Sequence, residues 1–148
     1  MVAETSLEEL TRDELTREHV QHRVADWADR IERLYERVER QLPPGWTARR
    51  GPTVDMLEPL MEKMGLPERQ LPTLELLRDG IVYVKFRPYG LWIIPINGQI
   101  DIVKGPERYD LIDRAGLFEA ADWEVAPAAA RGDHKVFDKA WLKALLSA

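Results

Sequence analysis

The sequence predicts an α+β domain: a long N-terminal helix and further helices packed on an antiparallel sheet of four to six strands. Three observations carry this expectation. Apolar residues recur at helical spacing from Val20 to Val38. Alternating apolar residues, divided by turn signals, fill residues 73 to 113. A last helical stripe runs from Val136 to Leu145. With 148 residues the chain has the usual size of one domain. It reads as a single unit over 1–148, with a helical segment at 5–42 and a helix–sheet–helix body at 46–148.

The helical segment opens on two capping-box patterns, Ser6-x-x-Glu9 and Thr11-x-x-Glu14, which satisfy the free amides of a first turn. The tetrapeptide Glu-Leu-Thr-Arg occurs at Glu9–Arg12 and again at Glu14–Arg17, as expected of a short helix that restarts near Thr11. Val20, Val24, Trp27, Ile31, Leu34 and Val38 then follow at steps of four and three, one apolar seam on one helix face. The charges between them, such as Asp26–Arg30, Asp29–Arg33, Glu32–Glu36 and Arg33–Arg37, mix attraction with repulsion and mark a solvated surface. Leu42-Pro43-Pro44-Gly45 ends the helix.

Trp46 to Arg50 reads as a short strand or an extended link. Val54 to Met64 has helical spacing at Val54, Leu57, Leu60, Met61 and Met64. Pro59 disturbs that helix, or serves as its first-turn residue if the helix begins only at Glu58. Gly65-Leu66-Pro67 is a stop.

The sheet is placed by its turns. Arg87-Pro88-Tyr89-Gly90 has the type I pattern, with proline second and glycine fourth. Asn97-Gly98 is a two-residue hairpin signal. Counting outward puts Val84 beside Ile93, Ile93 beside Ile102, Phe86 beside Leu91, and Val82 near Pro95 and Ile100. Because side chains switch faces at each residue, Val82, Val84, Phe86, Leu91, Ile93, Ile100 and Ile102 form an apolar core face. Tyr83, Lys85, Trp92, Ile94, Ile96, Gln99, Asp101 and Val103 form a mixed face. Leu74–Arg78 adds a strand through Asp79-Gly80, and Tyr109–Asp113 another after Lys104-Gly105-Pro106. Asp122–Val125 is an expected edge strand, the alanine-rich stretch 127–132 a connector, and Asp133 the cap of the last helix.

Composition narrows the function. There are no cysteines, so disulfides and thiolate chemistry are excluded. The formal net charge of −5 argues against a generic polyanion binder. No apolar run approaches the ~20 residues of a membrane span. Met1 to Leu10 is acidic and lacks a charged-then-apolar leader pattern. A cytoplasmic protein with no membrane contact is expected.

Candidate chemistry is thin. His19 and His22 sit three apart on a helix beside Glu18 and Asp26, but two imidazoles need a third convergent ligand to hold a metal. His134 follows the capping Asp133. Asp101 and Lys104 are three apart, which puts them on opposite faces of a strand. The glycines stand singly at turns, not in a phosphate loop. The only serines, Ser6 and Ser147, lie near the two ends. No catalytic, cofactor-binding or metal-binding residue is assigned, and no cofactor is expected.

The reading that remains is a non-catalytic protein-interaction or regulatory domain that self-associates as a homodimer. Its partner-binding candidates are Tyr83, Lys85, Trp92, Ile94, Ile96, Trp27, Ile31 and Leu34. The alternative is a nucleic-acid-associated accessory protein, carried by Arg49, Arg50, Lys85 and Arg87 if they converge. A small enzyme of unknown class comes third. Self-association is inferred from lengths. About 23 helical residues span roughly 34 Å, whereas a six-residue strand spans about 20 Å, so one end of the seam is expected to overhang the sheet.

Overall fold

The computed structural model describes residues 16–92, 98–116 and 118–147. Helix α1 spans Arg17–Arg40. Its cap is Thr16, whose Oγ1 accepts the His19 amide at 3.1 Å. The capping boxes at Ser6 and Thr11 lie outside the described residues. At the other end the Gln41 amide donates to the Arg37 and Val38 carbonyls before the two prolines.

Seven strands follow: β1 (Trp46–Met56), β2 (Arg69–Arg78), β3 (Ile81–Gly90), β4 (Gln99–Lys104), β5 (Glu107–Asp113), β6 (Trp123–Pro127) and β7 (Lys135–Val136). They lie in sequence order as one antiparallel sheet. The α+β expectation holds, but the sheet has seven strands rather than four to six. Among the described residues two further helices are short: α2 (Pro59–Lys63) and α3 (Lys139–Ser147).

Turn chemistry sets much of this meander. Asp79 and Gly80 both take positive φ, 53° and 75°, as a two-residue hairpin between right-twisted strands requires. Gly105, at φ 56°, starts the tight β4–β5 connection, where Lys104 faces Glu107. Glu58 stands at the N-cap position of α2 without a side-chain capping bond, and Pro59 occupies the first turn. The helix expected over Val54 to Met64 is therefore only its last part, because Val54 to Met56 belong to β1 and pair with β2.

Three local expectations are corrected. Arg87 to Gly90 do not turn; they continue β3, with Pro88 opposite Ile100 and a bulge before Gly90. A bulge tolerates the missing proline amide. The period-two burial of Val84, Phe86, Pro88 and Gly90 prevails over the local turn signal. Accordingly β3 lies directly beside β4, and Phe86 faces Ile102 and Leu74 rather than Leu91. Ile102 faces Phe86 and Tyr109, and Ile93, expected beside Val84 and Ile102, lies outside the described residues. Asn97 lies outside the described residues; Gly98 precedes β4 with φ 118°. Finally, α3 is capped by Asp138, whose Oδ1 accepts the Trp141 amide at 2.8 Å, and not by Asp133. Asp122–Val125 corresponds to β6, which is not the edge, since β7 pairs beyond it.

The core lies between α1 and one face of the sheet. Val20, Trp27, Ile31 and Val38 are fully buried, and Val24 and Leu34 nearly so. They meet Leu74, Leu76, Val84, Phe86, Ile100, Ile102, Leu111 and Val125 from the strands. Tyr35 extends the seam and donates its hydroxyl to the Pro72 carbonyl at 2.9 Å. No part of the described seam overhangs. The reason is strand length: β2 and β3 each have ten residues, about 33 Å at 3.3 Å per residue, close to the length of the seam.

Candidate interaction surface

The side of the sheet away from α1 is built by alternation. Along β3, Ile81, Tyr83, Lys85, Arg87 and Tyr89 are exposed while the residues between them from Val84 onward are buried. The neighbouring strands add Arg49 on β1, Glu75 on β2, and Asp101 and Val103 on β4. Arg49 faces Glu75, Glu75 faces Lys85, Lys85 faces Val103, and Arg87 faces Asp101.

Charge on this face is interleaved. Glu75 is only 6% exposed, because Arg49 Nε at 2.8 Å and Lys85 Nζ at 3.7 Å lie over its carboxylate. Gly51 makes room for it: a Cβ there would crowd Thr73 and Glu75. Further across, Gln99 Nε2 donates to Asp101 at 3.1 Å and to Asp110 at 3.4 Å, and Arg131 reaches Asp110 at 3.0 Å. This is a lattice of opposite charges, not a basic stripe.

At one end the face becomes aromatic. Trp46, at the start of β1, meets Tyr83 edge-on with ring centroids 5.7 Å apart. The Arg78 guanidinium lies 6.0 Å from the Trp46 ring. Ile81 is 56% exposed beside them in the hairpin. The rings hold one another in place, and among the described residues none covers Ile81 and Tyr83, which are exposed.

The sequence-derived candidates divide between the two faces. Tyr83 and Lys85 are exposed on the outer face. Trp27, Ile31 and Leu34 are buried within this one chain, because the long strands fill the seam. Trp92 is half-buried on the helix side, with the Arg23 guanidinium 5.8 Å from its ring. Ile94 and Ile96 lie outside the described residues. Of the four cations, Arg49, Lys85 and Arg87 share the outer face. Arg50 turns to the helix, where it hydrogen-bonds Glu32 and Glu39 and lies 5.2 Å from the Tyr35 ring. Partial burial pulls the Arg50 pKa down, but these two carboxylates outweigh it and hold the guanidinium above its ordinary value. The four therefore do not converge.

Among the described residues no three His, Cys, Asp or Glu side chains group to hold an ion. His19 packs edge-on against Phe118 at 6.1 Å. Burial first, then Arg23 and His22, lower its pKa. His134 Nδ1 lies 3.2 Å from Arg114.

A groove of about 470 Å3 runs between α1 and residues 118–121. Its main cation, Arg30, is already committed. Arg30 bonds Asp26 at 2.6 Å, Asp113 at 2.7 Å and the Glu119 carbonyl. Asp113 is fully buried, and its other oxygen accepts the amides of Ala115 at 3.0 Å and Asp122 at 2.9 Å. This network fastens α1 to the end of β5. The sequence carries only half of its signal, the i,i+4 spacing of Asp26 and Arg30, which reads as a surface pair. Arg23, 2% exposed on the same helix, is likewise not distinguishable in sequence from its solvated neighbours.

Among the described residues no helix is long and apolar enough to cross a membrane. No family model matches the chain, and no match is found among curated proteins or solved structures.

Proposed function

We propose that this chain is a non-catalytic protein-interaction domain that self-associates through the outer face of its sheet, around Trp46, Arg78, Ile81 and Tyr83. One observation carries the reading: this aromatic–aliphatic cluster is pre-ordered by ring contacts yet left uncovered. Tryptophan, tyrosine and arginine are the residue types that dominate binding energy at interfaces. Fixed rings lose little freedom when a partner docks.

The charge pattern favours a second copy as that partner. Lys85 and Arg87 stand on β3, while Asp101 and Asp110 stand on the next two strands. A twofold axis through the face can set the cations of one copy over the carboxylates of the other, and twofold dimers are the commonest oligomers. The nucleic-acid alternative has less support, because Glu75 and Asp101 alternate with its three outer cations and Arg50 points elsewhere. The lack of cysteine suits a reducing compartment, and the cytoplasm is the proposed location.

The test is the pair Ile81→Asp and Tyr83→Glu. Both side chains are exposed, so each variant should keep the wild-type circular dichroism and melting. Each should weaken self-association at least about tenfold, because a charge is buried without a partner. Association unchanged in both variants refutes this surface.

A further inference from the structure

The groove of about 470 Å3 between α1 and residues 118–121 is separate from the outer face of the sheet. Its lining mixes the apolar Leu34, Phe118 and Trp123 with charged side chains. Most of those charges are satisfied within the chain. Arg30 holds Asp26 and Asp113, and Arg33 pairs with Asp29 at 2.8 Å. Two are left over, one of each sign. Arg37 donates Nη2 to the Phe137 carbonyl at 2.8 Å and lies 5.7 Å from the Phe137 ring, but it has no carboxylate partner among the described residues. Glu119 is exposed, with its carboxyl group beside Gly116. That carboxyl group makes no hydrogen bond or ion pair among the described residues.

The two do not neutralise each other because they stand apart. The Arg30 guanidinium bonds the Glu119 carbonyl, which sets Glu119 level with Arg30. Arg37 follows about two turns further along α1, roughly 10 Å at 1.5 Å per residue. Phe118 adds a ring that is 50% exposed. Its backbone φ is 58°, in a turn closed by the Glu119 amide on the Gly116 carbonyl at 3.2 Å. A bulky side chain at positive φ is costly, and such strain gathers at ligand clamps.

We propose that this groove binds a short peptide of about three residues with both termini free. Its ammonium lies at Glu119, its carboxylate at Arg37, and an apolar central side chain on the Phe118 ring. An extended chain covers about 3.3–3.6 Å per residue, so three residues match the separation of the two charges. The groove has the volume of a small-ligand site. The planar fork of arginine suits a terminal carboxylate.

The probe is Gly-Phe-Gly with free termini, titrated into the full chain and followed by proton–nitrogen NMR of the assigned amides. The N-acetylated and the C-amidated forms of the same peptide are the controls. The free tripeptide should shift the amides of residues 118–121 saturably. Each blocked form should bind about fivefold or more weakly, the loss of one charged contact. Glu119→Gln should keep the melting temperature, since its carboxyl group has no partner in the fold. It should weaken the free peptide by the same factor and leave the N-acetylated form unchanged. Arg37→Met should weaken the free peptide and leave the C-amidated form unchanged. The proposal is overturned by shifts that are absent or do not saturate, by equal affinity for the blocked peptides, or by an unaltered dissociation constant in either variant.

Discussion

Replacing Asp113 by alanine strips a buried guanidinium of one of its two carboxylates. Arg30 is 5% exposed and Asp113 fully buried, so water cannot take over the lost contact. The same change frees the amides of Ala115 and Asp122, which now end on Asp113 Oδ1. Breaking a buried pair from one side costs about 3–5 kcal/mol. In a chain of this length that corresponds to a fall in melting temperature of about 10–20 °C. Urea unfolding, followed by tryptophan fluorescence and by circular dichroism, measures it. The double variant Arg30→Met, Asp113→Leu removes both charges together. It should recover much of the loss, since well-packed apolar replacements of buried pairs are often neutral or better. The reasoning fails if Asp113→Ala costs less than about 1 kcal/mol, the range of a solvated surface pair.

Two other perturbations probe the packing and the helix. Gly98→Ala places a Cβ against the Trp27 ring at a backbone φ of 118°, so it should destabilise by about 1–3 kcal/mol, read as a lower urea midpoint; an unchanged midpoint means that Trp27 does not pack there. His19 should titrate in NMR below the ordinary histidine value of about 6.5, because burial, then Arg23 and His22, disfavour its charged form. An unfolded histidine then binds protons first. Its contribution to stability is full above about 6.5 and is lost as pH falls through the folded pKa. Replacing His19 by phenylalanine should flatten the stability profile in that acid range, and an unchanged slope contradicts the assignment.

The helix seam was legible because its period depends only on which residues are apolar, and Val20 to Val38 repeat that signal without interruption. The Asp79-Gly80 and Gly105-Pro106 turns were legible because they impose backbone angles that few residues accept. Arg87-Pro88-Tyr89-Gly90 misleads for a physical reason. A turn signal is local, whereas the burial of Phe86 and Pro88 against α1 is a tertiary gain, and the tertiary term prevailed. That reading shortened β3, which in turn produced the expected overhang of the seam. Of the candidate surface, Tyr83 and Lys85 follow from alternation alone. The cluster of Trp46 with Tyr83 does not, because it depends on the β1–β2–β3 order. The Arg30–Asp113 pair is 83 residues apart in the chain, and no periodicity links partners at that distance.

Sedimentation equilibrium at micromolar concentration tests the central claim of self-association most directly. One chain has a mass of 17.1 kDa. The account predicts a weight-average mass that rises toward twice that value with concentration, and that stays near one chain for Tyr83→Glu under the same conditions. A wild-type chain that remains at 17.1 kDa throughout would contradict it.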